Sequence, residues 1–338
     1  MAPPLHRSST SQRRNGAELS NRCKNPPASL IMRQGTTKEA HVSAPARLRQ
    51  LLRGDGMLVA PGAYDCITAR TIAQAGFDAI YMTGAGTAAT LGYPDYGLIT
   101  MSEMADNAGR LASAVDVPVI ADADTGYGNE LNATRTVREY ERRGVAGLHI
   151  EDQGFPKKCG HLDNKVIVPL EEYLAKIRAA VAARQTPQFV IIARTDARAV
   201  LGFDEAIRRA NAALAAGADM AFVEAPQTLE EVTAIPHLVK GPCLLNVVWR
   251  GKTPDIGFDD AQKAGYKLAI VPGLLFKGVI GVCDQLLSEL KSQRRHPKID
   301  TQMTVRDAFR RVGADEWDAV SERFRGNAPA SERSHAAE

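Results

Sequence analysis

Eight short apolar runs recur between residues 57 and 272, separated by longer stretches with helical spacing of apolar positions. They are MLVA (57–60), AIYMT (79–83), VPVIAD (117–122), GLHIE (147–151), FVIIART (189–195), DMAFVE (219–224), CLLNV (243–247) and LAIVP (268–272). Short strands alternating with helices predict a parallel sheet. The helices have legible ends. Thr100 and Glu103 have the spacing of a reciprocal N-terminal cap, as do Thr228 and Glu231. Gly76, Gly144, Gly217 and Gly265 each stand where a left-handed residue would close a helix just before the next strand. Eight strand–helix units predict an α/β chain folded as a (β/α)8 barrel. The rival, a doubly wound open sheet, is disfavoured because no G-x-G-x-x-G opens a helix after the first strand.

A barrel of this kind works at the C-terminal ends of its strands, and polar residues collect there. Thr83 ends the second run, Asp122 and Asp124 the third, and His149, Glu151 and Asp152 the fourth. Arg194 and Asp196 end the fifth, Glu224 the sixth and Asn246 the seventh. Asp122 and Asp124 stand two apart, so in extended backbone both carboxylates face one point. A turn acid followed by a helix cap accounts for that pair equally well. Glu151 on the next strand and Asp95 in LGYPDYG shift the balance to a cation site, and oxygen ligands of this kind suit Mg²⁺. Arg194 offers a planar fork to a carboxylate, or pairs structurally with Asp196 or Glu224. Asn246 could donate to a developing oxyanion or make an interior hydrogen bond. His149 reads as a core or orienting residue. TGAGT (83–87) would let backbone N–H groups approach an anion, or form only a turn.

Composition excludes several classes. A chain of 338 residues that is 44% hydrophobic and 24% charged is an ordinary globular sequence. No apolar run reaches the roughly 18 residues that span a bilayer, so a soluble chain is expected, with no membrane partner. The net charge of +3 comes from the start: residues 1–45 hold seven Lys and Arg against two Glu, which leaves −2 for the rest. A mildly acidic body offers no nucleic-acid groove. The Arg- and Ser-rich start reads as a disordered extension without function, as a start codon placed upstream of a true start at Met32 would give, or as a transit peptide on an otherwise cytoplasmic protein. Domain limits follow: extension 1–45, barrel 46–292, and a C-terminal helical segment and tail 293–338.

Five scattered cysteines without a C-x-x-C pair argue against disulfides and zinc knuckles and for a reducing compartment. Cys159 stands out. It lies in KKCGH, inside a connection after the fourth strand that is long enough to be a functional lid. Lys157, Lys158 and His161 beside it would favour a thiolate and lower its pKa towards neutrality, making it a proton donor or a nucleophile.

The segments YMTGAGTAATLGYPDYGLIT, ADADTGYGN, GLHIEDQGFPKKCGH and IIARTDA, with Glu224 and Asn246, resemble the isocitrate lyase / phosphoenolpyruvate mutase superfamily over about residues 48–290. KKCGH resembles its lyase branch, in which this cysteine is a catalytic acid. The resemblance implies a (β/α)8 barrel whose last helix is exchanged between subunits of a dimer or of a tetramer built as a dimer of dimers, with residues 303–324 helical and contributing. It implies Mg²⁺ or Mn²⁺ near Asp95, Asp122, Asp124 and Glu151, held largely through water. It gives substrate binding to Thr83, Gly84, Gly160, Arg194, Glu224 and Asn246, and catalysis to Cys159 with His161 and Lys158, Tyr81 being the candidate base by position. The reaction implied is retro-aldol (retro-Claisen) cleavage of a small 2-hydroxy di- or tricarboxylate, such as 2-methylisocitrate or 2,3-dimethylmalate, to a 2-oxo acid and a carboxylate. Alternatives on the same fold are oxaloacetate hydrolysis, decarboxylation and phosphonate mutation; a non-catalytic binding protein is the remote one. Where 2-methylisocitrate-cleaving relatives carry an acid, this chain has NVVWRG. Trp249 would shape a pocket for alkyl groups, or Arg250 would hold a third carboxylate.

Overall fold

The computed structural model describes residues 42–299 and 301–325. Eight strands appear in chain order: β1 (Leu58–Ala63), β2 (Ile80–Met82), β3 (Val119–Asp122), β4 (Gly147–Glu151), β5 (Val190–Thr195), β6 (Met220–Val223), β7 (Cys243–Asn246) and β8 (Leu268–Val271). Each pairs in parallel with its sequence neighbours, and β1 pairs with β8 from Leu58↔Leu268 to Pro61↔Val271. That last pairing closes the barrel, and the open sheet is excluded. Every run read as a strand is one, with ends moved by up to three residues.

Around it lie α1 (Ala44–Arg53), α2 (Cys66–Gln74), α3 (Gly84–Thr90), α4 (Met101–Ala114), α5 (Glu130–Arg142), α6 (Leu170–Ala183), α7 (Ala197–Val200), α8 (Phe203–Ala215), α9 (Leu229–Leu238), α10 (Phe258–Ala264), α11 (Leu274–Gln293), α12 (Val305–Arg311) and α13 (Ala314–Arg325). Thr100 and Glu103 cap α4 reciprocally. At α9 only half of the expected cap forms. Thr228 accepts from Glu231 N, but the Glu231 carboxylate is taken by Arg198 and the N–H of Gln227. Gly76, Gly144, Gly217 and Gly265 all take the positive φ expected of them.

Tyr81, Ile120, Ile192, Phe222, Leu244 and Ile270 belong to the cluster that includes Leu48 of α1. A second belt, including Tyr140, Ile150 and Ile177, and a third, including Val223, Ile235 and Tyr266, pack strands against the outer helices. Arg49 of α1 donates to the carbonyls of Pro187, Gln188 and Phe189 and pairs with Asp219 at 2.9 Å. Because α1 starts at Ala44, the expected boundary at 45/46 cuts a helix that belongs with the barrel; the basic extension before residue 42 lies outside the described residues. The expected helix over 303–324 is α12 and α13. No helix among the described residues is long and apolar enough to cross a membrane.

Candidate active site

The strand register stacks the functional residues at one height. Asp122 stands opposite His149, Glu151 opposite Arg194, and Arg194 opposite Phe222. Residues that follow the strands, Thr83, Asp124, Asp196 and Glu224, then form the next layer up. A cavity of about 410 Å³ opens above them. Its walls include Tyr81, Thr83, Asp95, Asp122, Cys159, Gly160, His161, Arg194, Glu224 and Asn246. Asp124 and Glu151 are buried beneath, and Gly84 sits behind Asp122, where a Cβ would lie 2.5 Å from the Asp122 carboxylate. Glycine is required there by close approach.

The acids are held in different states. Burial opposes the Asp122 charge, but His149, Lys157, Arg194 and the N–H of Asp124 hold its pKa down to about 2. Burial raises Asp124 to about 7, with Asp122 and Asp95 adding and Lys157 opposing. Burial also pushes Glu151 well above the carboxylate range, against Arg194 Nη1 at 3.0 Å. Lys157 enters this cluster, pairing with Asp95 and lying 2.6 Å from Asp124 Oδ1. Burial works against its ammonium, but Asp124, Asp95, Glu151 and Asp122 together keep it charged.

Among the described residues no three His, Cys, Asp or Glu side chains converge to hold an ion directly. The donors still fit a largely hydrated divalent cation. Asp124 Oδ1 and both Glu151 oxygens are buried without a hydrogen bond of proper geometry, and Asp122 is ionised beside them. Mg²⁺ keeps several waters and needs only one or two protein carboxylates.

Arg194 is bracketed by acids. Its Nε lies 3.0 Å from Asp196 Oδ2, its Nη2 3.9 Å from Glu224 Oε1, and its guanidinium stacks 5.2 Å from the Phe222 ring centre. Asn246 Nδ2 donates to both Glu224 oxygens at 3.2 Å, leaving Asn246 Oδ1 without a partner. His161 Nδ1 accepts the Lys252 N–H at 2.9 Å, so the ring proton sits on Nε2, 3.2 Å from Glu224 Oε1. Burial lowers the His161 pKa and keeps it neutral.

The long connection, residues 152–169, is pinned at its base by an antiparallel bridge between Gln153 and Ile167. Its middle folds down on the cavity. Cys159 N donates to Asp95 O at 3.1 Å, and Gly160 packs so tightly on Arg194 and Glu224 that a Cβ has no room.

Three expectations need correction, and a fourth, Tyr81 as the base, is narrowed. Cys159 is not activated towards a thiolate: burial and the Asp95 charge push its thiol up to about 11. The ammonium meant to lower it is committed to Asp95 and Asp124, and His161 is neutral. Lys158 is not brought to the cavity. Its backbone N–H and carbonyl both bond the Gln153 amide, and the inward lysine is Lys157. Tyr81 is not a resting base. Its hydroxyl, 2.9 Å from His149 Nε2 and 3.3 Å from Asp122 Oδ2, is buried, and its pKa rises well above 10. Trp249 does not shape the pocket, being 71% exposed, whereas Arg250 does line it. Lys252, Phe276 and Lys277, also on the wall, carried no motif that would have marked them.

Residues 48–291 match the family model described as phosphoenolpyruvate phosphomutase. The chain belongs to that family. It is 50% identical over 228 residues to the 2,3-dimethylmalate lyase of Eubacterium barkeri, covering 67% of this chain and 79% of that one. To the 2-methylisocitrate lyase of Aeropyrum pernix it is 43% identical over 262 residues, covering 78% and 84%. The solved structure of an oxaloacetate acetylhydrolase with 3,3-difluorooxalacetate is 38% identical, with a TM-score of 0.81 over 85% of this chain and 99% of that one. Members of this family with such a site are generally metal-dependent enzymes acting on small carboxylates.

Proposed function

We propose that the protein is a Mg²⁺-dependent carbon–carbon lyase that cleaves a 2-hydroxy di- or tricarboxylate of the 2,3-dimethylmalate or 2-methylisocitrate kind to a 2-oxo acid and a carboxylate. One observation carries this reading. Cys159, on the loop folded over the site, lines the same cavity as the Asp122 carboxylate and the Arg194 fork.

The chemistry divides among the residues as follows. Asp122, Asp124 and Asp95, with Glu151 beneath, would hold the cation, which when bound polarises substrate oxygens and supplies positive charge. Arg194 Nη2, Asn246 and the backbone beside Gly160 orient the carboxylates. Tyr81 takes the substrate hydroxyl proton as it passes its own along its 2.9 Å hydrogen bond to His149 Nε2, in the tautomer that carries the ring proton on Nδ1. The O–H electron pair then becomes the carbonyl of the 2-oxo acid, and the C–C pair departs with the second fragment as a carbanion. Cys159 gives that carbon its proton. A thiol near 11 carries its proton throughout the neutral range, so it is loaded as an acid when the carbanion forms. His161 and Glu224 hold the loop side of the pocket.

The walls also suit an alkyl-bearing carboxylate, since they include Ala85, Val248 and Phe276 as well as Arg250 and Lys277. Hydrolysis of oxaloacetate is a second reading, supported by likeness to the acetylhydrolase. The test is direct: incubate the protein with Mg²⁺ and 2,3-dimethylmalate, 2-methylisocitrate, isocitrate or oxaloacetate, and identify products by NMR. Pyruvate or glyoxylate from a hydroxy acid supports the lyase; oxalate and acetate alone support the hydrolase; no turnover refutes both.

We further infer a homo-oligomer. α11 has no buried residue despite Leu274, Val279, Ile280, Val282, Leu287 and Leu290, as a helix packed into a second copy would require.

A further inference from the structure

Lys165 closes the loop that carries Cys159, yet it does not line the cavity. Its side chain is 1% exposed, and Nζ makes two contacts. One is to the carbonyl of Gly160, the residue after the thiol; the other is to Asp196 Oδ1 at 2.7 Å. Asp196 in turn receives Arg194 Nε at 3.0 Å and Nη2 at 3.3 Å, and is itself fully buried. Its backbone N–H donates to Asp152 Oδ1 at 2.8 Å, and Asp152 is held by Thr195 and Arg209. One ammonium therefore bridges the loop that carries Cys159 and the buried acid that holds the Arg194 guanidinium.

We propose that Lys165 is a positioning residue that couples the seat of the Cys159 loop to the orientation of Arg194, so that the proton donor and the carboxylate fork are set together. The physical reason is that, among the described residues, Lys165 Nζ has no partner besides Gly160 O and Asp196 Oδ1. When the loop lifts, its charge leaves Asp196, and a buried carboxylate stripped of one cation draws harder on the remaining one. Arg194 then turns towards Asp196 and away from the cavity. When the loop seats, Lys165 shares Asp196 Oδ1, so the Nη2 contact to that oxygen stays long, at 3.3 Å, and Nη2 remains on the cavity side, 3.9 Å from Glu224 Oε1. A charge-assisted hydrogen bond in a dry site is strong enough to hold such a latch.

The inference rests on the reading of Cys159 as proton donor, but its test reads loop position and anion binding instead of turnover. Label wild type, Lys165→Met and Lys165→Arg with iodoacetamide at one pH, and follow Cys159 and Cys66 separately by mass spectrometry. Measure Mn²⁺ affinity, and then oxalate affinity with Mn²⁺ present. In Lys165→Met, Cys159 should label about tenfold faster, the population change expected on losing a buried charge-assisted bond, with Cys66 unchanged. Removing a nearby cation disfavours the thiolate, so acceleration cannot come from electrostatics. Oxalate should bind about tenfold more weakly while Mn²⁺ affinity stays the same. Lys165→Arg, which keeps the charge and is the variant to rely on if the methionine form does not fold, should fall between wild type and Lys165→Met in both readouts. Equal acceleration of Cys66 and Cys159, unchanged labelling, or weakened Mn²⁺ binding would overturn the proposal. Faster Cys159 labelling with unchanged oxalate affinity would overturn the coupling to Arg194.

Discussion

Gly160→Ala tests the loop geometry with one methyl group. A Cβ at residue 160 would stand 2.5 Å from Glu224 Cγ and closer still to Glu224 Oε1 and Arg194 Nη2. Ordinary contact begins near 3.4 Å, so something must move by about 1 Å. Glu224 and Arg194 cannot yield cheaply. The first holds Asn246 at the end of β7 and the loop's own His161, and the second holds Glu151 at the end of β4 and Asp196 just after β5. The loop moves instead, and Cys159 moves with it. A misplacement of about 1 Å at a reacting group costs on the order of 100-fold in rate. The variant should therefore lose about two orders of magnitude in kcat for the hydroxy acid identified by NMR. Its Mg²⁺ affinity should be unaltered and its melting temperature close to wild type, because the loop lifts towards solvent. Steady-state kinetics with Mg²⁺ titration reads all three. A kcat within a few-fold of wild type would show that the loop does not seat as described.

Two further outcomes follow from the acidic cluster. Asp124 is raised from 3.8 to about 7, mainly by burial, so the folded state binds its proton more tightly than the unfolded state; that stabilisation is present at low pH and lost as pH rises through 7. A cation replaces the proton, so the Mg²⁺-induced rise in melting temperature should be larger at pH 8 than at pH 5.5, as calorimetry can measure; equal rises would refute the assignment. Lys157→Met should bind Mg²⁺ several-fold more tightly by isothermal titration, because the ammonium no longer competes for Asp95 and Asp124; weaker binding would refute the competition.

The barrel was legible because each apolar run is short, continuous and followed by a helix with its own stop signal. The site was legible because the register rule places strand-end residues together, and Thr83, Asp122, Arg194, Glu224 and Asn246 meet as the pattern implies. What the sequence hid was side-chain direction in the long loop. Lys157 and Lys158 are equivalent as letters, and only the path of the chain sends one inward and the other's backbone to Gln153. The thiol's pKa was misjudged for the same reason. Counting neighbouring cations ignores that they are already paired, and ignores burial, which dominates. Lys165 was visible as a basic residue in the loop, but its partner, Asp196, lies on another strand end 31 residues away.

The central claim is that Cys159 keeps its proton until the carbon–carbon bond breaks and then gives it to the departing fragment. Cys159→Ala removes the proton and leaves the acids and Arg194 in place. Turnover of the hydroxy acid, followed by NMR with Mg²⁺ present, should fall by about 100-fold or more, the usual worth of a positioned acid, while Mn²⁺ binding is retained. A variant that cleaves within tenfold of the wild-type rate would contradict the account.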